Sequence, residues 1–398
     1  MPNRHAIAPS SGKYKALCAL AGLEKAFRRH SQKTPHDLQA IRNFLFLQYD
    51  TALGSAVHAT PLYEALKRQI PDAHISVAAS NMAASVLAYN PYVDRCRQTP
   101  LPWQDFRGAV RSVRQLYKQL PEGLVCVVTT SSNQRPKLAL LTLLAGNAAR
   151  VGYTLASPLY DVALDYDADR PQIETNLDIA RALGHEVSSP EPRVFFSSQD
   201  FGDATCLLAE ASTQADHPII APRIAFVTQN SGGEPKLWSV DRFRHILTAL
   251  HATLRATPIF LGTADNATAV EALRQPLAEP GISLVGKTTV PQLAAVLTQC
   301  DLIVSLDTGT FHVARAVGLP GVVIAPAWQN PTEWLPVGHS QYRILCRPLI
   351  PMPTSKYWIE EISADQVLAA ALNLIGAFPP STVARAARRD LFLAKKES

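Results

Sequence analysis

Short apolar segments alternate with helix-like segments over most of this chain, and this alternation constrains its fold more than any other feature. Strand candidates lie in two series, at 44–47, 75–78 and 125–128, and then at 224–227, 258–261, 302–306 and 322–325. Helix candidates separate them, at 58–68, 137–144 and 240–254. Apolar strands that alternate with helices indicate parallel sheets covered on both faces. We therefore predict an α/β fold with two Rossmann-like domains.

The chain is long enough for two domains, each with its own core. It has 398 residues, of which 47% are hydrophobic and 18% charged, as in ordinary globular proteins. The Ser-, Pro- and Asp-rich stretch 186–223 is interpreted as the passage between the domains. The predicted division is a basic helical extension at 1–40, a first domain at 41–217, a second at 218–375 and a helical tail at 376–398. Two such domains facing across a cleft would bring the carboxyl ends of their strands to one shared site.

Positive charge is concentrated at the two ends of the chain. The net charge is only +5, but residues 1–45 carry eight Lys and Arg against two Asp and Glu, and the tail from Ser381 carries five against two. Such ends suit an anionic surface, and a solvated basic face is the alternative. Residues 16–23 imitate the apolar core of a signal peptide. We interpret them as part of an amphipathic helix, packed on the protein rather than laid on a membrane.

Cysteine usage and hydropathy exclude several classes of protein. The six cysteines form no CxxC pair and no histidine cluster accompanies them, so neither a zinc site nor a disulfide framework is expected. No apolar run approaches about 18 residues, the length that a membrane-spanning helix needs. We expect a cytoplasmic protein with reduced thiols and without a metal or other cofactor.

The stretch Asp301–His312, DLIVSLDTGTFH, combines a buried strand with a turn of small residues. The strand ends at Asp307, and the turn that begins with Thr308 and Gly309 is followed by His312 and a helix-like segment at 313–317. Backbone N–H groups at a helix start are unpaired and partly positive, so they suit a phosphate. In α/β proteins ligands lie at the carboxyl ends of strands, where this turn falls. The stretch predicts a phosphorylated ligand; a capping role for Asp307 and a packing role for His312 are the alternatives.

A second turn of small residues follows the first strand of the second series. Gly232 lets the backbone approach a ligand, Ser231 offers a hydroxyl to a phosphate, and Lys236 offers a positive charge. The spacing is not that of a P-loop, and alone the segment is equally typical of an ordinary glycine-rich turn. Together with Asp307–His312 it predicts a site for a nucleotide diphosphate. Asp265, after the next strand, is a candidate contact of the nucleoside.

Carboxylates and one histidine are the candidate acid–base or metal groups of the first half. Asp50 and His58 are the titratable side chains of the first strand–turn–helix unit, so both are candidate general bases. A turn hydrogen bond for Asp50 and a helix-face position for His58 are the alternatives. Asp165 and Asp167 have the DxD form of some metal-dependent sugar transferases, but they stand in an acidic segment that we interpret as a solvated loop.

In this order the motifs resemble those of glycosyltransferase family nine, the ADP-heptose:lipopolysaccharide heptosyltransferases. The resemblance covers about 43–375 and is strongest over 224–338, where it includes LWSVDRF, LVGKTTVPQLAAVLTQCDLIVSLDTGTFHVARAVGLP and PAWQNPTEWLPVG. LGSAVHATPLYEALKRQIPDAHISV and NAARVGY in the first half are also similar to family segments. The resemblance implies a GT-B architecture and an inverting, metal-independent transfer of heptose from a nucleotide diphosphate.

The resemblance also implies roles for single residues. Carried over by position, Ser231 and Lys236 contact the donor diphosphate. Thr308 and Gly309 present their backbone to it, with His312 nearby and Asp307 on the sugar hydroxyls. Asp265 would lie near the nucleoside.

One position departs from the family pattern, because Ser55 stands where the family has its presumed catalytic aspartate. A serine hydroxyl is a poor base near pH 7, whereas a carboxylate is a good one. We therefore weigh an active transferase whose base has moved to Asp50, or secondarily to His58, against a nucleotide-sugar-binding protein with little or no transfer. A protein glycosyltransferase and a nucleotide-sugar epimerase are further alternatives.

The expected partners follow from the resemblance and from the basic ends. They are a nucleotide-diphosphate sugar, a glycan or lipid-linked glycan acceptor such as lipopolysaccharide core, and an anionic membrane surface at the periphery of the inner membrane. No nucleic acid is expected as a partner.

Overall fold

The computed structural model describes residues 19, 38–133, 135–153, 159–215, 218–229, 236–351 and 359–394. The chain divides into two compact units, residues 1–192 and 193–398. Apart from residues 19 and 38–40, the predicted basic extension lies outside the described residues.

The first unit is built around a six-stranded, fully parallel sheet. Its strands are β1 Asn43–Gln48, β2 His74–Ala79, β3 Arg95–Gln98, β4 Val125–Thr129, β5 Ala149–Tyr153 and β6 Val162–Leu164. They lie side by side in the order β3-β2-β1-β4-β5-β6. The helices are α1 Leu53–His58, α2 Thr60–Gln69, α3 Asn81–Leu87, α4 Phe106–Lys118, α5 Pro136–Ala145 and α6 Gln172–Ala182. This is the strand order of a doubly wound Rossmann sheet, which reverses between β1 and β4.

The second unit repeats this topology. Its strands are β7 Arg223–Val227, β8 Thr257–Phe260, β9 Ile282–Ser283, β10 Leu302–Leu306, β11 Gly321–Ile324 and β12 Tyr342–Leu345. They are parallel in the order β12-β11-β10-β7-β8-β9, so the order reverses between β7 and β10. The helices are α7 Ser198–Ala215, α8 Val240–Leu254, α9 Ala267–Arg274, α10 Val290–Thr298, α11 Gly309–Ala316, α12 Pro331–Trp334, α13 Ala364–Ala377 and α14 Thr382–Phe392, with a 3₁₀ turn at Ala264–Asn266.

The central strands form because their residues can be buried on both faces. Every residue of β1, β4 and β10 is buried, and β-branched and other apolar side chains dominate them. Helix starts are equally well specified. A capping box begins α10, since the Thr289 side chain accepts from the Gln292 N–H and the Gln292 side chain accepts from the Thr289 N–H. Helix α11 begins at Gly309, four residues before the segment from which the sequence predicts it.

The interpretation of 186–223 as a passage between domains is wrong for its middle part. Helix α7 occupies 198–215 and packs against α10 within the second unit. Its buried residues are Ala204, Leu208 and Ala211, which recur at helical spacing among polar neighbours. Because this apolar stripe is narrow and prolines lie on both sides of the helix, the sequence pattern does not predict it. The second unit therefore begins at residue 193, whereas the sequence-based division begins it at 218.

The described part of the basic tail contains helix α14, and two of its arginines contact other elements of the second unit. Arg385 donates to the buried Asp301 carboxylate at 2.5 Å, and the Arg388 guanidinium donates to the Cys300 carbonyl. The bonds to Asp301 and Cys300 fix α14 next to the C-terminal end of α10. The strand-like bridge between Phe196 and Leu393 joins the two ends of the unit.

Among the described residues, no single helix is long and apolar enough to cross a membrane. Helices α13 and α14 together reach the required length and composition, but the pair is bent by 87°.

Candidate functional site

Loops at the carboxyl edge of the first sheet surround Asp50, which follows β1. Its side chain is only 4% exposed. The carboxylate oxygen Oδ1 accepts from Ser132 Oγ at 2.5 Å and from Asn133 Nδ2 at 3.1 Å, while Oδ2 accepts from Gln48 Nε2 at 3.0 Å. Ser132 and Asn133 reach Asp50 because β4, which precedes them, lies beside β1. The Ser80 hydroxyl donates to the Asp50 carbonyl and fixes the backbone as well.

Burial changes the acid–base character of Asp50. Removal from water raises the pKa of the Asp50 carboxyl, and the hydrogen bonds from Ser132, Gln48 and Asn133 offset only part of that effect. A carboxylate with a raised pKa is a stronger base than an exposed one, which suits proton abstraction near neutral pH. The surroundings of Asp50 are therefore compatible with the predicted base. They also show that the turn hydrogen bonds foreseen as the alternative are present.

The other two candidates of this turn have different surroundings. His58 is the last residue of α1, and only 1% of it is exposed. Its carbonyl accepts from Asn176 Nδ2, which ties α1 to α6. Ser55 is partly exposed on α1. An acceptor molecule could reach Ser55 more readily than the enclosed His58 ring.

A cation–aromatic pair lies beside Tyr49, the residue before Asp50. The guanidinium carbon of Arg135, the residue before α5, is 3.9 Å from the centre of the Trp103 ring. The Trp103 ring meets the Tyr49 ring edge-on at 6.4 Å, and Tyr49 precedes Asp50 in the chain. Asn133, two residues before Arg135, accepts from the Tyr49 N–H at 3.0 Å. Sequence reasoning missed this pair, because its members come from loops far apart in the chain.

In the second unit, Lys236 and Asp307 lie together at the carboxyl edge of the sheet. Lys236 Nζ is 3.3 Å from Asp307 Oδ2, and the two side chains are 12% and 5% exposed. They meet because Lys236 stands in the connection after β7, Asp307 stands directly after β10, and these strands are neighbours. Lys236 Nζ is also 5.7 Å from the centre of the Trp328 ring. The predicted pairing of the two turns is therefore observed at Lys236, whereas Ser231 and Gly232 lie outside the described residues.

The start of α11 lies within this group. Thr308 is the N-cap residue and has an extended backbone, but its side chain makes no capping hydrogen bond. Instead Thr308 Oγ1 is 3.3 Å from Ser305 Oγ. Thr308, Gly309 and Thr310 are all partly exposed. First-turn N–H groups without a side-chain cap, close to a lysine, form a suitable environment for a phosphate.

His312 is buried one turn into α11 and is neutral at physiological pH. Its Nε2 is 3.7 Å from Asp307 Oδ1, a distance compatible with an ion pair if the imidazole were charged. Burial, however, lowers the pKa of His312 to about 4, and the neighbouring Asp307 carboxylate opposes this only in part. The contact is consequently between a carboxylate and a neutral ring. The packing role that the sequence left as an alternative is thus present, together with proximity to the candidate site.

Trp238 and Asp265 lie near the group formed by Lys236, Asp307 and the start of α11. Trp238 is buried two residues after Lys236, and its indole N–H donates to the Ile362 carbonyl at 2.9 Å, which anchors the connection after β7. Asp265 is exposed in the 3₁₀ turn after β8, the strand next to β7. Its position is consistent with the predicted contact to a nucleoside at the same edge of the sheet.

The acidic DxD segment is a loop, as interpreted. Asp165 and Asp167 are exposed and follow the short edge strand β6. Within the described ranges, no group of three or more His, Cys, Asp or Glu side chains could hold a metal ion.

Comparisons with known proteins bear on both units. The sequence profile of glycosyltransferase family 9 (heptosyltransferase) matches residues 114–358. A lipopolysaccharide heptosyltransferase 3 of Escherichia coli is 21% identical over 352 residues, which are 83% of this chain and 97% of the relative. The profile match confirms the predicted family.

Solved structures agree on the fold. A family 9 glycosyl transferase from Veillonella parvula is similar with a TM-score of 0.74 at 18% identity, over 84% of this chain and 98% of that one. The ADP-heptose lipopolysaccharide heptosyltransferase II of E. coli is similar with a TM-score of 0.66 at 20% identity, again over 84% and 98%. The predicted GT-B fold, with two Rossmann-like domains, is thereby confirmed.

Proposed function

Since the chain belongs to glycosyltransferase family 9, the heptosyltransferases, we propose that it transfers heptose from ADP-heptose to a glycan acceptor such as lipopolysaccharide core. The transfer is inverting and independent of metal ions, as the resemblance implies. The observation that carries the proposal is the placement of Lys236 and Asp307 beside the uncapped start of α11. The similarity to an E. coli lipopolysaccharide heptosyltransferase 3 and to the E. coli ADP-heptose lipopolysaccharide heptosyltransferase II supports the choice of donor and acceptor.

The second unit supplies what a nucleotide-diphosphate leaving group requires. As the bond from the anomeric carbon to the diphosphate breaks, negative charge accumulates on the departing oxygens. Lys236 and the first-turn N–H groups of α11 stabilise that charge without having to reorganise. Asp307 accepts hydrogen bonds from the sugar hydroxyls, and Lys236 places a positive charge 3.3 Å from its carboxylate. Asp265 contacts the nucleoside.

The first unit supplies the acceptor side of the reaction. An acceptor hydroxyl attacks the anomeric carbon, and its proton passes to Asp50, which takes over the role that the family aspartate has at the position of Ser55. His58, which is buried to a similar degree, is the second candidate. The Trp103 face and the Arg135 guanidinium suit a sugar ring and an anionic substituent, respectively. We propose that the enzyme acts in the cytoplasm at the membrane periphery, where a lipid-linked acceptor is accessible.

Ser55 favours one other function, a nucleotide-sugar-binding protein with little transfer. Loss of a general base typically lowers turnover about 10²–10⁴-fold, so without Asp50 the chain would bind the donor and react slowly. Donor binding and turnover must therefore be measured separately.

Calorimetric titration of the full chain with ADP and with ADP-heptose tests the donor site. Lys236→Met should weaken ADP binding about 10–150-fold, since a hydrogen bond to a charged group contributes roughly 1.5–3 kcal/mol. Asp307→Asn should weaken binding of ADP-heptose more than that of ADP, because it removes a sugar contact as well as the charged partner of Lys236. Lys118→Met, which removes an exposed lysine from α4 of the first unit, is the matched control.

The outcomes separate the two functions. Binding together with transfer to a lipopolysaccharide-core acceptor supports the proposed function. Binding without transfer to any acceptor supports the binding protein. A wild-type chain that binds neither ADP nor ADP-heptose, or a Lys236→Met variant with unchanged ADP affinity, contradicts the donor site.

A further inference from the structure

Asp50 is too enclosed to meet an acceptor hydroxyl directly. Only 4% of the residue is exposed, and both carboxylate oxygens already accept hydrogen bonds. A general base must come within hydrogen-bond reach of the proton that it removes, either directly or through one intermediate group. If Asp50 is the base, the proton has to pass through one of the groups that surround its carboxylate.

Among the described residues, three side chains hydrogen-bond to this carboxylate, and they differ in their chemistry. Gln48 and Asn133 donate through amide nitrogens, which cannot accept a proton in return. Ser132 donates through a hydroxyl, whose oxygen can accept one hydrogen bond while it donates another. Only a hydroxyl can therefore pass a proton on to Asp50.

Ser132 also differs from Gln48 and Asn133 in its exposure to solvent. Gln48 and Asn133 are buried, whereas Ser132 is partly exposed in the loop after β4. The distance from Ser132 Oγ to Asp50 Oδ1 is 2.5 Å, in the range of strong hydrogen bonds between a hydroxyl and a carboxylate. Asn133 donates to the same Oδ1 and accepts from the Tyr49 N–H, so it fixes the loop after β4 relative to the Asp50 carboxylate. Ser132 is thus placed between solvent and the carboxylate.

We propose that Ser132 relays the acceptor's proton to Asp50, a catalytic role that rests on the proposed transferase function. The acceptor O–H gives its proton to Ser132 Oγ as Ser132 gives its own proton to Asp50 Oδ1. The acceptor oxygen forms its bond to the anomeric carbon, the bond from that carbon to the diphosphate oxygen breaks, and the electron pair leaves with the diphosphate. Asp50 afterwards releases its proton to water through Ser132, which ends the cycle unchanged.

The relay explains how this chain can tolerate a serine at position 55. A base in the family position would touch the acceptor itself, whereas here the carboxylate is withdrawn behind a hydroxyl. Ser132 retains its proton in the resting enzyme because a serine hydroxyl is far less acidic than a carboxyl group. The hydroxyl therefore passes the proton on, and Asp50 is the base.

Steady-state kinetics of the full chain with ADP-heptose and a lipopolysaccharide-core acceptor test the relay. Ser132→Ala should lower kcat about 10²–10⁴-fold, the usual contribution of general-base catalysis, without changing ADP affinity. Ser132→Thr retains the hydroxyl and should recover a large part of the rate. Combining Ser132→Ala with Asp50→Asn should cost no more than Asp50→Asn alone, because residues that act as a unit are not additive. Ser85→Ala, which removes a hydroxyl bonded to the Asn81 carbonyl on α3, is the control.

A solvent isotope measurement supplies a readout that a merely structural serine would not affect. In mixtures of H₂O and D₂O, kcat of the wild type should fall along a curve, because two protons move in one step, and kcat of Ser132→Ala should fall along a line. The relay is overturned if Ser132→Ala keeps kcat within about threefold of the wild type, a change of roughly 0.7 kcal/mol. It is also overturned if Ser132→Thr is no better than Ser132→Ala.

Failure of the relay and failure of the proposed function are distinguishable in this experiment. A wild type that transfers heptose while Ser132→Ala transfers it equally well retains the function and loses the relay. A wild type that binds ADP-heptose but neither transfers nor hydrolyses it contradicts both.

Discussion

Replacement of Arg385 by alanine tests how firmly helix α14 is held to the second unit. Arg385 Nη1 lies 2.5 Å from Asp301 Oδ1, and the two side chains are 13% and 2% exposed. Removing one partner of a buried ion pair costs roughly 3–5 kcal/mol, because the other charge stays buried without its counter-ion. Asp301 keeps a hydrogen bond from the Arg223 N–H at 2.8 Å, so the lower end of this range applies. We expect a loss of about 3 kcal/mol in the free energy of unfolding.

The corresponding change in melting temperature is measurable by calorimetry. For a unit of about 200 residues, each kcal/mol shifts Tm by roughly 2–4 °C, so Arg385→Ala should lower the transition of the second unit by about 6–12 °C. Arg389→Ala is the matched control on the same helix. Its partner, the adjacent Asp390, is exposed, and such a surface pair contributes only about 0–1 kcal/mol.

A double-mutant cycle separates the ion pair from general damage to the helix. Asp301→Asn removes the carboxylate, so Arg385→Ala should cost much less in that background than in the wild type. The reasoning is refuted if Arg385→Ala lowers Tm no more than Arg389→Ala does, or if its cost is the same in both backgrounds.

Two further predictions concern the second unit. The pKa of His312 is lowered to about 4 in the folded state, from an ordinary value near 6.5. The unfolded chain therefore binds the extra proton first, and the free energy of unfolding should fall as pH drops from about 6.5 to about 4. His312→Gln should flatten this part of the stability curve in urea titrations at successive pH values, and an unchanged slope would contradict the neutral ring. Gly286 has a φ of +72°, and a Cβ there would lie 2.8 Å from Ala264 Cα. Gly286→Ala should therefore lower the free energy of unfolding by about 1–3 kcal/mol and weaken ADP binding by displacing the turn that carries Asp265. Gly376→Ala, in open space on α13, should be neutral or stabilising, and equal behaviour of the two variants would show that the turn adapts.

The apolar pattern predicted most central strands of the two sheets and none of their edge strands. Five strands are not among those that the apolar pattern predicts. Four of them, β3, β6, β9 and β12, are the edge strands of the two sheets. The fifth, β5, is a central strand whose sequence, ARVGY, is interrupted by an arginine and a glycine. Edge strands are covered on fewer sides, so they are short and partly polar, as Arg95–Gln98 shows. Their sequences do not contain the uninterrupted apolar run that reveals a central strand. Helix α7 was missed for a related reason, because its buried stripe is only one residue wide.

The candidate site residues also differ in whether the sequence could predict their surroundings. Lys236 and Asp307 could be predicted because each belongs to a recognisable turn after a central strand, and neighbouring strands bring the turns together. The surroundings of Asp50 could not be predicted, since Ser132 and Asn133 are more than 80 positions away in the chain. Their proximity depends on the pairing of β1 with β4, which local pattern does not specify. The burial that raises the pKa of Asp50 is likewise a property of the folded sheet.

The bridge between Phe196 and Leu393 has a consequence for how the protein is made. The Phe196 N–H donates to the Phe392 carbonyl at 3.2 Å, and the Ala394 N–H donates to the Phe196 carbonyl at 2.8 Å. A ribosome synthesises Phe196 well before Phe392 and Ala394. The first unit can therefore fold while the second is still incomplete, and the second cannot form this bridge until Ala394 has emerged. Truncation of the chain before Phe392 would leave the donor-site residues Lys236 and Asp307 in place but would remove the partners of Phe196.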